Sequence, residues 1–493
     1  MNGSRSPAAL AFGPLLLLGL LVVGVLVLGA GGYGYHRDEL YFLAAGHHLA
    51  WGYADQGPLT PGIARAMSWL APGSLVVLRI PSAFMVGMTV LVSGAIAFEF
   101  GGSRRAQLIA AGCTAVGSFA LFVGHVLSTS TFDLLAWATV TWLVARIVRT
   151  GRQGLWLAVG VVAGIALLNK PLIAFLLVAL AAGFLLAGPR VFLCEYRLWG
   201  GVVIALVLWS PWLVWQSMHG WPQLDVSSSI ASGGSGSSQP RWLLLPFQLL
   251  LVSPVLAPVW IGGLVALFRR PSLRQFRLLA VAWIVLVLVF LAAGGKPYYL
   301  AGLFPALLAA GASEVDTWLD RGSANARLAW FSAAVLISGV ISIVLALPVL
   351  PAHDAGPVIA ANGDVGETIG WPQFVRTVAA VYHRADRPAV IFTSNYGEAG
   401  AVDRFGGSSG LPGAYSGHNA FASWGPPPDD PRPVVVVGLD ARELASHFTR
   451  CQLQARVENA ASVDNDERGT RIDLCSGTRR PWSRMWAQLS HLE

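Results

Sequence analysis

His36-Arg37-Asp38-Glu39-Leu40-Tyr41-Phe42 decides how this chain is read, because of what stands before it. An apolar run from Leu10 to Leu28 precedes the tract. Its length is near the ~20 residues that a helix needs to span a bilayer. Two adjacent carboxylates then follow closely. Charge beside a hydrocarbon core is costly, so an acid pair in that position is a functional expectation in its own right. Asp38 and Glu39 are expected at the membrane–water boundary, where a lipid headgroup also lies.

Composition sets the class. Of 493 residues, 55% are hydrophobic and only 12% are charged, and the mean hydropathy is +0.59. A soluble domain carries about 25% charged residues, so most of this chain belongs in lipid. The 19 Trp fit aromatic belts at the two interfaces. The net charge of +7 does not point to nucleic acid. Its basic residues are scattered through short inter-helix loops, as positive-inside bias places them, with no basic stripe interleaved with aromatics. Arg5 and the small residues after Leu28 resemble the flanks of a secretory signal. The run nevertheless exceeds the ~7–15 residues of a signal core. It reads as an uncleaved first transmembrane helix with its amino terminus in the cytoplasm.

Alternating basic turns carry the topology onward. Arg104-Arg105, Arg146 to Arg152, Arg190 to Arg197, Arg269 to Arg277 and the charged turn at 314–327 fall on one side. The expected fold is a polytopic α-helical membrane protein of about eleven spans, up to about thirteen because several runs are short. The transmembrane domain covers 1–349, with an outer loop at 33–80. A second outer loop at 218–241 is rich in Ser and Gly and reads as flexible coil, either a passive linker or a lid. Pro171 and Pro297 mark broken or re-entrant pieces. Residues 350–493 alternate helical patterns with short β-branched runs, at 389–393, 434–437, 452–457 and 471–474. That predicts a small C-terminal extracytoplasmic α/β domain. Cys451 and Cys475 both fall there, and a disulfide and two free thiols stay open as alternatives.

On a helix Asp38 and Glu39 diverge by about 100°, so they take different jobs. Asp133 is a third acid on the same expected side, although the start of a helix favours a carboxylate anyway. The tract Trp51-Gly52-Tyr53-Ala54-Asp55-Gln56-Gly57-Pro58-Leu59-Thr60-Pro61 is aromatic, polar and turn-rich. It suits either a sugar ring stacked on Trp51 or Tyr53, with Asp55 and Gln56 as substrate contacts, or interfacial anchoring. Lys170 and Lys296 each end an apolar run before a proline. They either snorkel to headgroups or hold a lipid phosphate, with Tyr298 and Tyr299 beside them. His36, His47, His48 and His125 fall near the same face. Catalytic zinc takes about three protein ligands, so a divalent metal is not supported and no cofactor is expected.

These residues carry a resemblance. Arg37 to Ala50, Asp55 to Pro61, Lys296-Pro297-Tyr298-Tyr299-Leu300, Asn395-Tyr396-Gly397-Glu398-Ala399-Gly400-Ala401 and Tyr415-Ser416-Gly417-His418-Asn419 resemble the dolichyl-phosphate-mannose–protein mannosyltransferase-like group. This is glycosyltransferase family 39 and its bacterial relatives, of the GT-C fold. The resemblance implies an inverting transfer of a sugar from a polyprenyl-phosphate donor to a hydroxyl acceptor at the outer leaflet. It makes Asp38 the general base, Glu39 its support and Asp133 a further acid. Lys170 and Lys296, with Tyr298 and Tyr299, would hold the donor phosphate. Asp55, Gln56, Glu398 and His418 would meet the acceptor. For Glu398 and His418, turn chemistry from Gly397, Gly400 and Gly417 is the alternative. Gly57 stands where relatives often carry a second proline. The trefoil repeats of the eukaryotic members are missing, so envelope glycan, lipid and protein all remain as acceptors. Two other readings stay open: a lipid or sugar transporter or flippase, which would carry internal repeats and midplane acids, and a non-catalytic envelope scaffold.

Overall fold

The computed structural model describes residues 9–234, 238–321 and 323–492. Arg5, and Ser235–Ser237 of the Ser/Gly tract, lie outside the described residues. The chain divides into two compact units: Met1–Ala30, Arg79–Trp215 and Ile230–Leu347 form the first, and Gly31–Leu78, Gln216–Ser229 and Pro348–Glu493 form the second.

The first unit is a helical bundle. Among the described residues, seven helices are long and apolar enough to cross a membrane, and two bent pairs raise this to nine if each pair is one span. Reaching the expected eleven would also require the shorter apolar helices Leu155–Leu167 and Ile173–Leu186 to count as spans. The helix Phe12–Gly29 shows the pattern. Leu15, Gly19, Val22 and Leu26 are buried at spacings of three and four, while Leu17, Leu20, Leu21 and Leu28 face outward. An apolar exterior is what lipid requires, and small residues let helix backbones meet. A Cβ added at Gly263 would lie 1.9 Å from Leu307 O, and one at Gly311 would lie 1.9 Å from Val259 O. The helices Ala257–Arg269 and Phe304–Leu319 therefore touch backbone to backbone. The sharpest break, 91°, separates Arg241–Val252 from Pro254–Arg269. Pro254 has no N–H to continue the ladder, and the Ser253 hydroxyl accepts from Val255 N and pairs with Ser338.

The second unit holds a five-stranded mixed sheet. Its strands are β1 (Val390–Thr393), β2 (Ala414–Ser416), β3 (Val434–Val437), β5 (Gln452–Arg456) and β6 (Arg471–Cys475), in the order β2-β1-β3-β6-β5. Strands β1, β2 and β3 run parallel, and β6 joins β3 and β5 antiparallel. The short strands β4 (Phe448–Thr449) and β7 (Gly477–Thr478) pair apart from it. Strands β1 and β3 are buried throughout, as an interior strand of β-branched residues should be. The disulfide Cys451–Cys475 ties the start of β5 to the end of β6.

Two local expectations need correction. Residues 222–232, read as flexible coil, form the helix Pro222–Ser232. Pro222 at its start and Asp225 in its first turn favour helix initiation, and the Gln216 side chain accepts from Gln223 N at 3.1 Å. The stretch holding Gly397 and Gly400 is not a turn but the helix Tyr396–Phe405. Asn395 and Glu398 close a capping box around its first turn.

Candidate active site

In the first unit the site is assembled on the helix Thr129–Thr150, whose amino end is capped by Ser128. Asp133 lies in its first turns, only 5% exposed. Asn169, just beyond the helix Leu155–Leu167, donates from Nδ2 to Asp133 Oδ1 at 3.2 Å and to Thr129 O at 2.8 Å. Lys170 is therefore delivered beside the acid. Its ammonium stands 5.7 Å from the Tyr298 ring centre and 5.2 Å from that of Tyr299. The two rings are edge to face, 5.0 Å apart. A small cavity opens between Ser130, Asp133, Trp137, Leu172, Tyr298 and Tyr299. Asp133 Oδ2 and Trp137 Nε1 are buried and take no hydrogen bond among the described residues. Lys296 immediately precedes the 3-10 turn Pro297–Leu303 that carries both tyrosines, and its carbonyl accepts from Tyr299 N. Asp133, Lys170, Tyr298 and Tyr299 thus form one group, with Lys296 one turn away along the chain.

A second cavity of this unit, about 440 Å³, lies elsewhere and contains none of the expected residues. Its arginines are already paired: Arg149 with the buried Glu99 at 2.5 Å, and Arg270 with Glu314.

In the second unit the helix Arg37–His47 carries the acid pair. The His36 backbone N–H donates to Glu39 Oε2 at 2.8 Å, and the Asp38 N–H donates to His36 Nδ1 at 3.2 Å. Glu39 is fully buried and closes its own helix start, whereas Asp38 is half-buried. The divergence expected for neighbours on a helix separates them in this way. The Tyr396 hydroxyl donates to Asp38 Oδ1 at 2.8 Å, and the Tyr41 hydroxyl donates to Asp55 Oδ1 at 2.6 Å. The two phenol rings stack on each other at 4.6 Å. Asn419 Nδ2 reaches Asp55 Oδ2 at 3.5 Å. Burial raises the phenols of Tyr41 and Tyr396 well above the ordinary value, so both remain hydroxyl donors.

His418 is buried against the rings of Tyr396, at 4.7 Å, and His491, at 4.5 Å. Neither ring nitrogen has a hydrogen-bond partner among the described residues, and burial brings its pKa down to about 2. It is a neutral imidazole. Glu398 Oε2 accepts from Ser394 N, Ser394 Oγ and Asn395 N, so its carboxylate is used within the fold. Burial raises Glu398, and also its neighbour Glu467, above the usual carboxylate range. Arg37 lies 3.6 Å from both Glu367 and Asp466, and burial lifts Glu367 to about 8. Gln56 is buried beside Asp55. Tyr53 is buried too, and does not offer a sugar platform: its hydroxyl is tied to the carbonyls of Ala45 and His48. Trp51 is 61% exposed. Among the described residues, no group of three or more His, Cys, Asp or Glu could hold a metal ion.

Tyr396, Tyr41 and Asn419 were not singled out from the sequence, although each sits in a quoted tract. The Asn395-x-x-Glu398 spacing was the available signal, since it marks a helix start.

Known proteins share this architecture. The crystal structure of ArnT from Cupriavidus metallidurans bound to undecaprenyl phosphate is similar at a TM-score of 0.61 and 14% identity, covering 94% of this chain and 98% of that one. Its apo state is similar at the same TM-score and identity, covering 98% and 100%. The arabinofuranosyltransferase AftD from Mycobacteria is similar at a TM-score of 0.51 and 13% identity, covering 96% of this chain and 42% of that one. No curated protein sequence matches the chain. The fold is therefore that of the GT-C glycosyltransferases, carried by a multi-pass membrane protein. Residues 55–215 match the family described as dolichyl-phosphate-mannose-protein mannosyltransferase, so this part of the chain is mannosyltransferase-like.

Proposed function

We propose that this chain is an inverting glycosyltransferase. It moves a sugar, mannose-like or another hexose or a pentose, from a polyprenyl-phosphate donor to a hydroxyl acceptor on the outer face of the cytoplasmic membrane. The observation that carries the reading is Asp38, an acid delivered straight after the first span, half-buried and bonded through one oxygen to a phenol that stays neutral. Asp38 takes the acceptor's hydroxyl proton as that oxygen attacks the anomeric carbon. The bond from that carbon to the phosphate oxygen breaks, and polyprenyl phosphate leaves with one more negative charge. Attack from the face opposite the phosphate inverts the centre. Lys170 and Lys296, with Tyr298 and Tyr299, stabilise the leaving phosphate. Asp133 and Trp137 line that cavity with buried polar atoms that take no hydrogen bond among the described residues, which supports a polar ligand there. Glu39 holds the turn that carries Asp38, while Asp55, Gln56 and His418 border the acceptor and Glu398 supports them from within the fold. A disulfide in the second unit supports an extracytoplasmic position for it. The undecaprenyl phosphate bound by ArnT supports a polyprenyl-phosphate donor, and the acceptor is an envelope glycan, lipid or protein.

The test is Asp38→Asn assayed for transfer from a polyprenyl-phosphate sugar in membranes. Loss of transfer by about 10³-fold with donor still bound is expected, toward the upper end of a general base's contribution. Transfer within twofold of wild type, at equal expression, ends the base assignment.

A further inference from the structure

The tract Asn395-Tyr396-Gly397-Glu398-Ala399-Gly400 has a form that composition alone does not explain. Asn395 and Glu398 start a helix, yet two of its first five residues are glycines, which weaken a helix interior. The surroundings give the reason. A Cβ at Gly397 would stand 3.0 Å from Arg37 Cβ, and one at Gly400 would stand 2.9 Å from the Leu40 carbonyl carbon. Cβ atoms essentially never approach a backbone atom that closely, so any other residue at 400 would push the Tyr396 helix off the Asp38 helix. The glycines set a distance between two helices that lie more than 350 residues apart in sequence.

That distance places one hydroxyl. Tyr396 is held on three sides: Tyr41 stacks at 4.6 Å, His418 packs at 4.7 Å, and the Arg37 guanidinium lies 5.0 Å from its ring centre. With its ring fixed, its hydroxyl meets Asp38 Oδ1 at 2.8 Å. Asp55 is held in the same manner by the stacked partner Tyr41, so both acids hang from one column of rings.

We propose that Tyr396 is a positioning residue for Asp38, and that the tract from Asn395 to Gly400 is the device that sets it: a capping box to start the helix, two glycines to seat it, and a phenol to fix the orientation of the carboxylate. This rests on the reading of Asp38 as the general base. The Tyr396 hydroxyl binds one carboxylate oxygen and so fixes the orientation in which the group meets the acceptor. It donates in ground state and transition state alike and transfers no proton. A base displaced by about 1 Å can lose roughly 10²-fold in rate, so the effect belongs in kcat rather than in substrate binding.

The experiment uses the full chain in membranes or detergent. Tyr396→Phe keeps the ring column and removes only the hydroxyl. A fall in kcat of about 10- to 100-fold is expected, with KM for donor and acceptor within twofold. In an Asp38→Asn background the same substitution should add nothing, because the hydroxyl then orients no base. Gly400→Ala, which displaces the helix and leaves both side chains in the chain, should reproduce the kcat-selective loss if Tyr396→Phe fails to accumulate. Gly407→Ala, where a Cβ meets nothing within 4 Å, should not. Wild-type kcat in Tyr396→Phe or in Gly400→Ala overturns the proposal, as does a loss that multiplies independently with Asp38→Asn. An Asp38→Asn variant that turns over normally removes the base reading itself, and that outcome is distinct from a silent Tyr396→Phe.

Discussion

Lys170 follows an apolar helix, one residue after Asn169, whose amide is already bonded to Asp133 and Thr129. The carboxamide fixes the turn, and the turn aims the ammonium at two tyrosine rings. A lysine that merely snorkelled would be indifferent to Tyr298 and Tyr299. Lys170→Met is therefore expected to lower kcat/KM for the polyprenyl-phosphate donor by about 10²-fold, the scale of one lost donor at a developing anion. Lys170→Arg should keep part of the activity, since it retains charge with a different geometry. A twofold change or less in Lys170→Met, measured in a membrane transfer assay, removes it from the phosphate role. At this scale the sequence was informative wherever cost was visible locally. Asp38 and Glu39 stand out because charge beside an apolar run is expensive, and Lys170 and Lys296 because each ends such a run. The separation of the two side chains of the acid pair followed from the helical angle alone, whereas their proposed roles came from the resemblance. Tyr396 was illegible for a physical reason: its meaning is a hydrogen bond across 358 positions, and nothing in its own neighbourhood records the partner. Glu398 misled in the opposite sense, because a carboxylate among glycines looks available until its three cap hydrogen bonds are seen.

Elements follow the same division between local and distant causes. Long apolar helices and the fully buried strands β1 and β3 were legible, since their residues match the solvent or the core on every face. The helix Tyr396–Phe405 and the three-residue strand β2 were not. Both are held by neighbours rather than by propensity, and glycine-rich polar sequence has little propensity to show. The helix Pro222–Ser232 was hidden in the same way by its serines. In the bundle, the contact of Ala257–Arg269 with Phe304–Leu319 depends on two glycines that hydropathy does not distinguish from alanine. Gly311→Ala puts a methyl 1.9 Å from Val259 O, which cannot yield without moving a helix. Overpacking of this kind typically costs about 1–3 kcal/mol, occasionally more. Gly311→Ala should lower the thermal midpoint in detergent and the yield of monodisperse protein. Gly262→Ala, next to Gly263 on the facing helix and with nothing within 4 Å, should leave both unchanged. Equal behaviour of the two variants would show that the close approach is not structural.

At the scale of the whole molecule, the chain is not partitioned where composition changes. Residues 31–78 and 216–229 belong with 348–493, so one compact unit is built from three separated segments. A reading that runs along the chain draws one boundary near 350, because hydropathy changes there, and cannot see that earlier loops close on the later sheet. The consequence is that titratable groups of 348–493 are buried against Arg37 of 31–78, and their protonation should govern stability. His418, facing Tyr396, His491 and Arg37, titrates near 2 in the fold against 6.5 when unfolded. The unfolded chain therefore binds the extra proton below 6.5, and the stability this group contributes is lost as pH falls from there. Glu367, facing Arg37, Asp466 and Asp364, moves from 4.5 to about 8, so its contribution is full below 4.5 and is lost as pH rises through 8. Between 4.5 and 6.5 the two slopes oppose, each about 1.4 kcal/mol per pH unit for one proton. His418 sets the acid limb, and the buried Glu398, Glu467 and Asp403, raised likewise, add to the Glu367 slope as pH rises. The unfolding midpoint in detergent should therefore be highest at mildly acidic pH and fall on both sides. His418→Phe should flatten the acid limb and leave the alkaline limb in place, and Glu367→Gln should make the alkaline limb shallower and leave the acid limb in place. A midpoint that stays flat from pH 4 to 8 in the wild type, or limbs unchanged in both variants, would mean that these two buried groups do not set the pH dependence of the fold.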